Sequence, residues 1–118
     1  MGTHYGNFAI TSSHGFHLTL PNGVTISTQF GGGNYGDNYD MPIGTEKDVQ
    51  SLESSRVEIA IWDAGRDWIT GKVCRSVGVD SDDEDGGVAG YLTMSDWLKV
   101  LNACQSWGPP EPHTEEPE

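Results

Sequence analysis

The chain has 118 residues, enough for one modest core, and its 16 glycines and 35% hydrophobic content point to a small, turn-rich domain. Eighteen acidic side chains against six basic ones give a formal net charge of −12, which repels nucleic acid and anionic membranes and favours a basic partner. Direct DNA or RNA binding is set aside, because it rests on Lys and Arg neutralising phosphates. No run approaches the roughly eighteen apolar residues of a membrane span.

The charge is unevenly spread. Residues 1–36 contain no Asp, Glu, Lys or Arg, residues 37–107 carry fourteen acids and six bases, and the tail adds Glu111, Glu115, Glu116 and Glu118. Met1–Tyr5 has neither the basic flank nor the apolar run of a secretory signal. Cys74 and Cys104 are therefore expected as reduced, buried thiols of a cytoplasmic protein.

Taken in order, Phe8-Ala9-Ile10 is a short apolar run between Gly6 and Thr11-Ser12-Ser13 and reads as a first, edge strand. The strongest local pattern follows. Phe16–Leu20 and Val24–Phe30 both alternate apolar and polar residues about Pro21-Asn22-Gly23, a hairpin whose turn takes its positive φ from Gly23. One face, with Phe16, Leu18, Leu20, Val24, Ile26 and Phe30, must be buried. The other, with His17, Thr19, Thr25, Ser27 and Gln29, is polar and uncharged, so it is either covered or meets a partner. Residues 31–44 read as a flexible loop with two similar settings, Asn34-Tyr35 and Asn38-Tyr39. Thr45-Glu46-Lys47-Asp48 has the form of a capping box and predicts a two-turn helix over 46–53.

Arg56–Trp62 resumes strict alternation, with Val57, Ile59 and Ile61 on one face. Asp63-Ala64-Gly65-Arg66 predicts a turn and Asp67–Thr70 an antiparallel return; Gly71 interrupts, and Val73–Val77 reads as a further strand or as a continuation past a bulge. Val88–Leu92 predicts a last strand. Thr93-Met94-Ser95-Asp96 opens a helix over about 94–106 whose apolar stripe is Trp97, Leu98, Leu101 and Cys104. The expected fold is α+β: a small antiparallel sheet built from two β-hairpins with a C-terminal helix packed on one face. It forms a single domain over 1–107, followed by a disordered, acidic, Pro/Glu-rich tail over 108–118.

The acidic loop is the most suggestive functional stretch. Asp80, Asp82, Asp83, Glu84 and Asp85 place about one charge per ~4 Å of extended chain, close to the ~3.4 Å phosphate spacing of one DNA strand. The loop could imitate a nucleic-acid backbone to a basic protein. It does not make an EF-hand. A start at Asp80 puts Asp85 where Gly is needed and Tyr91 where the bidentate Glu belongs, and a start at Ser81 ends on Leu92. His14 and His17 point to opposite faces of a strand, which excludes a simple zinc pair. Gly31-Gly32-Gly33 lacks the Lys-Ser/Thr of a phosphate cradle, and no Gly-x-Ser-x-Gly elbow is present. No catalytic residue, metal ligand or cofactor is expected. Tyr35 and Tyr39, beside Asp37 and Asp40, or an exposed tryptophan among Trp62, Trp68 and Trp107, are the expected anchors on a basic protein surface, with Thr25 or Gln29 of the hairpin supplying specific contact.

The stretch His17-Leu-Thr-Leu-Pro-Asn-Gly-Val-Thr-Ile-Ser-Thr-Gln-Phe-Gly-Gly-Gly-Asn-Tyr looks like small proteins carried by bacteriophages and other mobile elements. The profile of a short, strongly acidic domain without a catalytic motif is similar to anti-CRISPR and related anti-defence proteins. That resemblance implies a non-enzymatic inhibitor in the host cytoplasm, bound to the basic surface of a CRISPR-type defence complex and blocking its nucleic-acid binding. The alternatives are a small-ligand-binding or sequestering module and a minor virion or assembly protein.

Overall fold

A computed structural model of the chain describes residues 6–11, 14–41, 53–81 and 87–108. Five strands form one antiparallel sheet in sequence order: β1 (Asn7–Thr11), β2 (Gly15–Thr19), β3 (Thr25–Gln29), β4 (Arg56–Trp62) and β5 (Ala89–Thr93). Helix α1 (Thr70–Ser76) connects β4 to β5, and α2 (Met94–Gln105) follows β5 directly. The α+β class, the antiparallel sheet and the C-terminal helix packed against it are as the sequence predicts.

The Pro-Asn-Gly hairpin forms with Thr19 opposite Thr25 and Gly23 at φ 88°. Its turn reaches further than the hairpin. Asn22 Oδ1 accepts from the amide of Val24 at 3.1 Å, while Nδ2 donates to the carbonyls of Cys104 at 2.7 Å and Trp107 at 3.4 Å. One side chain thus orders the turn and caps the C-terminus of α2, where carbonyls lack intrahelical partners.

Register places Leu18, Ile26 and Ile61 in one row across the sheet and Phe16, Thr28 and Ile59 in the next. Ile26, Ile59 and Ile61 are fully buried there, beneath Val73 and Cys74 of α1 and Val100 and Cys104 of α2. The N-terminus of α2 is capped as expected, with Thr93 Oγ1 accepting from the amide of Asp96 at 3.2 Å. The stripe is rotated by one position: Val100 is buried and Leu98 is exposed, so the core-facing set is Trp97, Val100, Leu101 and Cys104. The indole Nε1 of Trp97 donates to Thr28 Oγ1 at 2.9 Å, which stitches α2 to the middle strand.

The segment after β4 differs from expectation. Asp67–Thr70 contributes only one bridge, Trp62 to Trp68, and the strand expected over Val73–Val77 is helix α1. Ile69, Val73 and Val77 repeat every four residues, and Val73 and Cys74 are buried side by side, so the period is helical. The helix ends in a Schellman motif: Gly78 takes φ 74°, and the amide of Val79 donates to the carbonyl of Cys74 at 2.9 Å. Thr70, fully buried, accepts from the amide of Ile61 at 2.9 Å and donates to the carbonyl of Gly87 at 3.1 Å, tying β4 to the end of the acidic loop.

Both cysteines are free and buried. Burial pushes the Cys74 thiol up to about 11 and that of Cys104, beside it, up to about 12. The helix expected over 46–53 lies outside the described residues except for Glu53, as does the expected tail except for Gly108. Among the described residues, no helix is long and apolar enough to cross a membrane.

Candidate functional site: a tyrosine stack with an acidic flank

Residues 31–41 are pinned rather than loose. Asn34 Oδ1 accepts from the amide of Gly31 at 2.9 Å, Asn38 Nδ2 donates to the carbonyls of Phe30 at 2.7 Å and Glu53 at 2.8 Å, and Gly33 donates to the carbonyl of Tyr39 at 3.0 Å. The loop lies against β4 and β5. Glu58 Oε1 accepts from both Asn34 Nδ2 and the amide of Tyr35 at 3.1 Å, and the amide of Tyr91 donates to the carbonyl of Tyr35 at 2.8 Å. Only glycine fits at 36, because a Cβ there would collide with the carbonyl oxygen of Arg56.

This anchoring sets three phenol rings in a row. Tyr35 stacks on Tyr39 with centroids 5.5 Å apart and on Tyr91 at 6.2 Å, with interplanar angles of 19° and 24°. Each residue keeps more than two-fifths of its surface exposed: 41%, 45% and 43% for Tyr35, Tyr39 and Tyr91. Tyr91 has φ 57°, a left-handed conformation that costs a non-glycine residue about 1 kcal/mol or more. The backbone bond to Tyr35 and the stacking hold it there.

At one end of the row the guanidinium of Arg56 lies 5.2 Å from the centroid of Tyr91, and its Nε donates to Asp37 Oδ1 at 2.7 Å. Asp37 Oδ2 accepts from the amide of Ser55 at 2.8 Å. That backbone bond and the Arg56 side chain hold the Asp37 carboxyl below its ordinary value. Arg56 therefore displays the chemistry the surface offers: an aromatic face and a carboxylate that together receive a guanidinium.

Of the sequence-predicted contact residues, Tyr35, Asp37 and Tyr39 are brought together here. Asp40 is exposed in the same loop, and Asp80 is exposed after α1. Asp82, Asp83, Glu84 and Asp85 lie outside the described residues. Tyr91, Arg56 and Glu58 were not anticipated. An aromatic in an edge strand next to Gly90 is the only sequence cue to Tyr91.

The uncharged hairpin face does not offer the contact expected of it. Thr25 and Ser27 are only 6% and 7% exposed. Thr25 Oγ1 lies 3.0 Å from Thr19 Oγ1, and Gln29 Nε2 donates to Thr11 Oγ1 at 2.7 Å and Ser27 Oγ at 3.1 Å. Short hydroxyl side chains between larger neighbours satisfy one another within the sheet, so Thr25 is structural. On the same face His17 meets Trp62 edge to face at 5.2 Å, and Trp62 lies 5.6 Å from the half-exposed Trp68. Burial lowers the pKa of His17.

A separate cleft of about 440 Å³ opens where α2 begins, lined by Phe16, Phe30, Leu92, Met94 and Trp97, with Glu53 at its wall. Among the described residues, no three His, Cys, Asp or Glu side chains are grouped to hold a metal ion. Comparison with protein-family models, with curated proteins and with solved structures finds no match.

Proposed function

We propose that this protein is a non-enzymatic inhibitor that acts in the host cytoplasm by docking on the basic, nucleic-acid-binding surface of a host defence complex of the CRISPR type. The observation that carries this reading is the exposed Tyr39-Tyr35-Tyr91 row with Asp37 and Asp40 in the same loop. Rigid aromatic faces beside carboxylates suit arginine-rich surfaces: they supply stacking area at low entropic cost and a hydrogen-bonding counter-charge. The net charge of −12 speeds encounter with a basic partner, and Asp80, Asp82, Asp83, Glu84 and Asp85 concentrate that charge in one loop. Nucleic acid is displaced because it needs the same basic groups.

The test is affinity capture from bacterial lysate with the immobilised chain, followed by elution with duplex DNA. The captured protein should bind nucleic acid on its own and be released by DNA and by salt. Tyr35→Ala with Tyr39→Ala should lower its retention at least tenfold with the fold intact by circular dichroism. Retention unaffected by that double variant, or by DNA, overturns the reading. The cleft above α2 favours a second one, a small-ligand-binding module, since about 440 Å³ of mostly apolar lining is the size of a small-molecule pocket. Calorimetric heat from an apolar amine, lost in Trp97→Ala, would support it over docking.

A further inference from the structure

The helices cover only part of the apolar sheet face. Register carries the core rows outward, from Ile26 through Leu18 to Phe8 and from Thr28 through Phe16 to Ile10. Phe8 and Ile10 thus belong to the face that forms the core, yet they are 82% and 85% exposed. With Leu18, Phe16 and Trp97 they line an open apolar groove.

β1 is also the edge of the sheet, and its outward hydrogen-bonding groups can be assigned. The amide of Leu20 donates to Val24 and that of Phe30 to His14, so the even-numbered residues of β2 bond to β3. Its odd-numbered residues Gly15, His17 and Thr19 then bond to their β1 partners Thr11, Ala9 and Asn7. That leaves the N–H and C=O groups of Phe8 and Ile10 directed away from the sheet. The strand Asn-Phe-Ala-Ile-Thr has none of the charges or prolines that usually protect an edge.

We propose that β1 pairs antiparallel with β1 of a second copy of this chain about a two-fold axis at Ala9. In that register Phe8 faces Ile10 of the second copy twice over, an aromatic opposite a β-branched side chain, and the outward groups of both residues close a hydrogen-bonded pair. An axis perpendicular to the sheet keeps both apolar faces on one side, so the two grooves merge into a single strip between the two copies of α2. Charge selects this occupant. A chain of −12 repels itself over most of its surface, but residues 1–36 carry no Asp, Glu, Lys or Arg. A second copy meets no local repulsion there, while a basic partner finds no counter-charge. Each copy contributes one aromatic, one Ile and five strand residues, giving an interface of roughly 1,000 Å² in total, at the low end for specific association. An interface of that size belongs with weak, exchanging associations.

Sedimentation of the full chain between about 1 and about 500 µM tests this without any partner, so it stands or falls apart from the docking reading. The mass should rise from monomer to dimer across that range. Ile10→Lys should hold it at monomer while circular dichroism stays unchanged, as the exposed position allows. Ala9→Cys should cross-link under mild oxidation, because a non-hydrogen-bonded pair sets its Cα atoms about 4.5 Å apart, within disulfide reach. Asn7→Cys, opposite Thr11 of the second copy, should not. A monomer at every concentration, a dimer that survives Ile10→Lys, or equal cross-linking at positions 7 and 9 overturns the proposal.

Discussion

Replacing Asn22 by Ala removes a side chain that acts on two elements 82 residues apart. Lost are the acceptor for the amide of Val24 at 3.1 Å and the donor to Cys104 at 2.7 Å, with its longer contact to Trp107 at 3.4 Å. At about 1 kcal/mol net for each good hydrogen bond, and more where a part-buried carbonyl is left unpaired, the loss is about 2–3 kcal/mol. For a domain of this size that lowers Tm by roughly 10 °C. Thermal and urea unfolding followed by circular dichroism measure it. Asn22→Asp separates the two roles, since it keeps the acceptor for Val24 but sets a carboxylate against the negative end of α2. Those carbonyls raise the carboxyl's folded pKa above its unfolded value. The charge part of the variant's deficit relative to the native chain is then largest at neutral pH, shrinks as pH falls through the raised folded value and is gone below about 4, where the group is protonated in both states. A Tm drop below about 2 °C for the Ala variant, or an Asp deficit independent of pH, would refute the capping role.

Burial lowers the pKa of His17, so its contribution to stability is complete above the ordinary histidine value of about 6.5 and is lost as pH falls through the lowered folded value. The urea midpoint of the native chain should decline over that window, and His17→Gln should flatten the decline. With Cys74 and Cys104 buried and held near about 11 and about 12, both thiols should resist a disulfide reagent at neutral pH. They should react together once denaturant opens the core; fast labelling of the native chain would contradict their packing. Asp37→Asn removes the charge that Ser55 and Arg56 hold. Amide exchange at Ser55 and Tyr35 should quicken while exchange in α2 stays constant. In the native chain the same loss of protection, measured against the intrinsic exchange rate at each pH, should appear as pH falls through the lowered carboxyl value.

Local patterns carried through wherever the responsible contacts were themselves local. The Pro-Asn-Gly turn fixed the β2–β3 register, and Thr93 with Asp96 fixed the start of α2. Helix α1 is hidden from a local reading because Gly71 looks like a break and the apolar ends of Val73–Val77 also suit a short strand. What decides it is the four-residue spacing of Ile69, Val73 and Val77 against a core made elsewhere. Leu98 and Val100 are equally apolar, and only the direction from which the sheet approaches α2 determines which is buried. The tyrosine row was half legible. Tyr35 and Tyr39 share a loop, whereas Tyr91 joins them from a strand more than fifty positions later, through a backbone bond and a positive φ that composition does not encode.

The order of the sheet has a consequence for how the chain emerges from a ribosome. Because β1 to β5 are added edge by edge in sequence order, each strand finds its neighbour already made, and no strand waits for a later one to be inserted beside it. Helix α1 covers part of the apolar face before β5 is made, and the rest stays open until α2, the last described element, settles over β3 and β5. Its closing contacts are with Thr28 and Asn22, among the first residues to have formed structure. A chain stopped at Thr93 would carry a complete sheet with only α1 over its core and the surface that α2 buries open to water. Solubility should therefore arrive abruptly, with the final helical turns.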